Sequence, residues 1–115
     1  MQRVILLRLE VMQYRDVALE AQSRMTWTLD RFDVSAFKVL LAEVCSLIPA
    51  NLLQKVLNIP RQAAVLNKQL ENLYGKDSTR LDQGELGFLR SDISKFIDLC
   101  AECEKALESL FGPLS

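Results

Sequence analysis

From Leu86 to Leu110 an apolar side chain recurs every three or four residues without a break: Leu86, Leu89, Ile93, Phe96, Cys100, Cys103, Leu107 and Leu110. Steps of three and four place all of them on one stripe of an α-helix, whereas a strand needs a period of two. A seam this regular predicts a helix that packs against its neighbours in coiled-coil fashion. The same rhythm opens the chain at Val4, Leu7, Val11, Tyr14, Ala18, Ala21 and Met25, with Thr28 or Leu29 bridging to Phe32. At ~1.5 Å per residue, a helix from Val4 to Phe32 is about 43 Å long, and the last helix is of similar length.

Between these two lie shorter pieces. Asp33-Val34-Ser35 offers cap side chains, and with Ser35 as cap, Val34 and Val39 stand where a hydrophobic staple forms. The stripe resumes at Phe37, Leu41, Val44 and Ile48, widened by Leu40, Cys45 and Leu47. Pro49 either kinks this helix or starts a new one, and Leu52, Leu53, Val56 and Leu57 carry the pattern on. Pro60 predicts a second break. After it, Ala63, Leu66, Leu70 and Leu73 share a face up to Gly75, which suits a left-handed cap. Residues 75–81 read as a loop, Asp82 with Glu85 as a capping box, and Gly112-Pro113 as the stop of the last helix. Gly84 and Gly87 weaken its first turns or permit a close backbone approach there.

With only 4 glycines and 3 prolines in 115 residues, the chain has few turns and long elements. No linker or repeat divides it, so residues 1–115 are expected to form one domain. The expected fold is all-α: an antiparallel up-down four-helix bundle with two long helices, one Pro-kinked helix and one short helix, open to completion by dimerisation. The short helix, residues 61–74, leaves one corner about 20 Å short, so apolar seam beside it remains for a partner, a loop or a ligand to cover. Helix 1 carries a second stripe, Ile5, Leu9 and Met12, on another face. A helix apolar on two faces packs on two sides, so these three residues are the candidate interface of a homodimer.

The chemistry is narrowed by what is missing. The chain has no histidine, which removes the commonest general base and metal ligand, and with it Ser-His and Cys-His nucleophile systems and the usual di-iron bundle. No enzyme activity and no cofactor is expected. Cys100-Ala-Glu-Cys103 places two thiols on one helix face, yet a structural zinc site wants four ligands and Cys45 is the one remaining candidate. Buried cysteines acting as small hydrophobes is the reading preferred here. The odd count of three cysteines argues for a reducing compartment. The net charge of −1 and pI near 5.4 give no global basic field for nucleic acid or an anionic membrane. The N-terminal apolar run, Val4 to Leu7, is too short for a signal or a span. The expected setting is cytoplasmic, away from membranes.

Positive charge does gather in the middle. Between Asn51 and Arg80, Lys55, Arg61, Lys68, Lys76 and Arg80 face Glu71 and Asp77. Within residues 50–73, the run Leu53 to Ala63 resembles the centre of a helix-turn-helix, with Asn58 at the usual turn glycine and Gln54 at the usual small residue. That resemblance implies DNA contact by Arg61, Gln62 and Lys68. A further alternative is a sensor for a small apolar ligand, with Trp27, Phe88 and Phe111, which lie off the seams, lining its pocket. The acidic end of the last helix, Asp98, Glu102, Glu104 and Glu108, reads as a solvated face. The leading expectation is a non-enzymatic assembly protein that self-associates and holds a protein partner through an apolar helix face or groove.

Overall fold

Long stretches of strong helix formers with apolar residues in three-four register become four α-helices in the computed structural model, which describes residues 2–24, 32–74 and 83–113. They are α1 (Gln2–Arg24), α2 (Ser35–Val44), α3 (Ala50–Tyr74) and α4 (Gln83–Phe111), with a 3₁₀ turn at Cys45–Leu47. Among the described residues there is no strand, and the fold is an all-α helical bundle. The loop at 75–81, Asp82, Met25 and Trp27 lie outside the described residues, as do the side chains of Leu70, Leu73, Glu85 and Leu86.

Contacts between side chains give the directions. Arg15 reaches Glu104 and Gln22 Nε2 donates to Ser94 Oγ at 2.8 Å, so α4 runs antiparallel to α1. Lys55 lies 3.8 Å from Glu102 and Gln69 Nε2 donates to Asp92 at 2.6 Å, so α4 is antiparallel to α3 as well. Arg3 pairs with Glu43 while Tyr14 meets Phe37, so α2 descends beside the first half of α1. The order around the bundle is α2, α1, α4, α3, and the backbones of α2 and α3 make little contact.

Both long seams are where the spacing puts them. Val4, Leu7, Val11, Tyr14, Ala18 and Ala21 from α1 are buried, as are Leu89, Ile93, Phe96, Cys100, Cys103 and Leu107 from α4. Leu110, the last member of that seam, is 45% exposed. Arg8 is 5% exposed on the same helix and, like Arg15, lends its positive charge to Glu104. Burial still holds the Glu104 carboxyl above the usual carboxylate range, with Arg15 opposing that shift.

The structure decides between the two readings of Pro49 and departs from the sequence reading at Pro60. Pro49 ends one helix and begins another: Ile48 is extended (φ −106°, ψ 129°), as a residue before proline prefers, and the Pro49 carbonyl accepts the Leu53 N–H at 2.8 Å. Pro60 does not break the chain but sits inside α3. Its missing N–H leaves the Val56 carbonyl without the donor a helix normally supplies. Burial of Val56, Ile59, Ala63 and Leu66 along one unbroken stripe outweighs that loss. The short helix is therefore α2, about 15 Å long against about 43 Å for α4.

The turn into α2 is built differently from the expected cap. Phe32 is buried but not helical; the Asn67 side chain of α3 accepts the Phe32 N–H at 2.7 Å and donates to the Phe32 carbonyl at 2.9 Å. Asp33, rather than Ser35, supplies the capping oxygen, accepting the Ser35 N–H at 3.0 Å, and that bond holds its carboxyl below the usual range. Val39 is 60% exposed, so the staple with Val34 is not made. Tyr14 donates to the Asp33 carbonyl at 2.9 Å and stacks edge-on against Phe32 and Phe37, while Phe32 meets Phe96. Burial, with the Glu10 charge beside it, drives the Tyr14 phenol well above its ordinary pKa. At the other end, Gly112 adopts φ +87° and its N–H bonds the Glu108 carbonyl, the expected stop of α4. Gly87 has open space around it, so no close approach occurs there.

Candidate functional site

Where α2 and α3 diverge, a cleft of about 680 Å³ lies between them. One wall is Lys38, Leu41, Ala42 and Cys45, spaced by three and four along α2 into the 3₁₀ turn. The other is Leu53, Leu57, Pro60, Arg61 and Ala64 of α3, a strip about 17 Å long. The cleft exists for two reasons. The helices' backbones make little contact, and small side chains (Ala42, Cys45, Ala64) stand where larger ones would interdigitate. Leu57, Ala42, Cys45 and Ala64 are exposed, so the lining is open to solvent.

The polar content of the cleft is confined to its rim. Lys38 stands on the α2 wall and Arg61 on the α3 wall, and no carboxylate lines it among the described residues. Neither cation makes a hydrogen bond or ion pair through its side chain among the described residues. By contrast Arg3, Arg15 and Lys55 each have a carboxylate partner. Cys45 is exposed, and its thiol donates to the Ala42 carbonyl at 3.4 Å.

The residues singled out from the sequence fall in three places. Ile5 and Leu9 are 44% and 48% exposed on α1, with Met12 half-buried beside them, and Leu6 and Leu19 are exposed as well. Arg61 and Lys68 share the outer face of α3, two turns apart, while half-buried Gln62 points to another side. The helix-turn-helix expected over residues 50–73 is absent: α3 passes through Asn58, Ile59 and Pro60 without a turn, so no separate recognition helix exists. Phe88 is 72% exposed and Phe111 half-buried at opposite ends of α4. They line no common pocket.

Cys100 and Cys103 are buried in the α1–α4–α3 seam. Burial pushes their thiols up to about 12 and about 11, which suits packing rather than nucleophilic work. Among the described residues no three metal-capable side chains come together, and no helix is long and apolar enough to cross a membrane. The α2–α3 cleft escaped the sequence reading because it placed the helix break at Pro60. The signal that locates it is the pairing of Leu53 and Leu57 beside, rather than on, the Leu52–Val56–Ile59 seam. Set against known proteins, the chain matches no family model, no curated protein and no solved structure.

Proposed function

We propose that this protein is a non-enzymatic helical interaction module that takes an apolar helix of a partner protein into the α2–α3 cleft and self-associates along α1. The observation that supports it is the open apolar cleft between α2 and α3, whose backbones make little contact. A bundle flank of this form is completed by one more helix, whose i, i+3/i+4, i+7 side chains fill the trough. The Ile5–Leu9–Met12 face supports the second half of the proposal. It is a self-complementary aliphatic strip on a helix already packed on its other side, the kind of surface a twofold pair buries.

The two halves separate by experiment. Light scattering on the wild-type chain and on Ile5→Glu/Leu9→Glu reads the oligomer directly; both sites are exposed, so the variant folds. A dimer that becomes a monomer supports the α1 interface, and a wild-type monomer at high concentration removes it. Leu57→Glu places a charge in the cleft, and loss of a partner captured by the wild type supports the cleft as the docking site. Capture undiminished by Leu57→Glu places docking elsewhere.

A further inference from the structure

We infer that the helix held by the α2–α3 cleft is an acidic amphipathic one, with carboxylates on both flanks of its apolar stripe. This rests on the preceding reading of the cleft and specifies its occupant. The lining supplies the first reason: among the described residues that form the trough, the charged ones are Lys38 and Arg61, both positive. Placement supplies the second. The two cations stand on opposite walls, one from each helix. A single carboxylate, such as that of a fatty acid, meets one wall, whereas a helix with acids on either side of its stripe meets both.

The third reason is that no carboxylate among the described residues neutralises either cation. Arg3, Arg15 and Lys55 have carboxylate partners, whereas Lys38 and Arg61, like Lys68, Lys95 and Lys105, have none among the described residues. Lys68 lies two turns beyond Arg61 on the same exposed face and extends the positive rim along α3. A basic helix entering the trough is repelled from both walls. A neutral one leaves two cations partly desolvated and unpaired. Charge at a rim acts mainly on specificity and encounter rate, so the apolar stripe supplies the affinity and the rim selects which stripe enters.

The test uses the full chain and two synthetic peptides of about four helical turns. Both carry one leucine stripe; one has glutamates flanking it and the other lysines. Fluorescence anisotropy is read at low and at raised salt. The glutamate peptide is expected to bind about tenfold more tightly at low salt, with the gap closing as salt screens the rim. Lys38→Glu/Arg61→Glu, both exposed positions, is expected to invert the order. Leu57→Glu abolishes binding of either peptide. Equal binding of the two peptides overturns the acidic assignment and leaves the cleft as a helix site. Binding of neither peptide, or binding that survives Leu57→Glu, overturns both. Uptake of laurate that depends on Arg61, with neither peptide bound, makes the occupant a small amphiphile and overturns both.

Discussion

The α1–α4 flank and the α2–α3 flank are made of the same repeating apolar steps, yet one is zipped shut and the other gapes. On the closed side the seams of two long helices interlock, Val4 to Ala21 on α1 and Leu89 to Leu107 on α4, and Arg8, Arg15 and Glu104 are drawn into the contact. On the open side a ten-residue helix faces a twenty-five-residue one across small side chains, and its two cations are unmatched. Period alone does not close an interface. Length, side-chain volume at the meeting line and charge matching decide whether two amphipathic helices complete each other or wait for a third.

Thiol chemistry breaks the comparison most sharply. Cys45 opens on the cleft, while Cys100 and Cys103 lie in the closed seam. A thiol pushed from 9.0 to about 12 holds about a thousandfold less thiolate at neutral pH than an ordinary one. A disulfide reagent is therefore expected to titrate one thiol per chain quickly and two only on unfolding. The slow phase speeds as pH rises toward the raised values. Three thiols reacting together show that the closed flank is open.

Truncations give the next largest contrast. Phe96→Ala, at a fully buried ring touching Phe32, is expected to cost about 3–5 kcal/mol in urea denaturation. Leu57→Ala, in the cleft wall, is expected to cost under about 1 kcal/mol. Equal costs mean that the cleft is packed as tightly as the core. The smallest contrast is in the charges. Arg15→Ala strands the Glu104 carboxylate and is expected to cost about 1–2 kcal/mol. Lys38→Ala is expected to shift stability of the free chain by less than about 0.5 kcal/mol. A larger loss at Lys38 reveals a partner for it within the chain.

Much of the closed flank is legible from spacing, because a seam repeated over many turns has one helical interpretation. The breaks are less legible. Pro60 reads as a stop from local chemistry, yet a buried stripe from Val56 through Leu66 carries the helix past it. Phe32 continues the rhythm of helix 1, but burial says nothing about backbone, and it is buried in a turn held by Asn67 from 35 residues away. The cleft follows from these two misplacements. An excess of apolar surface over cover is visible in the sequence, and its location depends on which helix is short. The exposed Ile5 and Leu9 are legible because a second stripe on one helix is itself a pattern. Arg61 stands out in the sequence by its charge alone, and its place on a cleft wall depends on α2, which no local window contains.

The joining of α1 to α4 across the chain also sets a timetable. Arg15 and Glu104 are 89 residues apart, so the main seam cannot form until the last helix has left the ribosome. At ~5–20 residues per second, about 4–17 s separate completion of α1 from completion of α4. Throughout that interval the Val4–Leu7–Val11 stripe of the nascent α1 lacks its α4 cover. Synthesis in the cell therefore favours whatever shields that helix early, whether a chaperone or the arriving aromatic corner at Phe32 and Phe37.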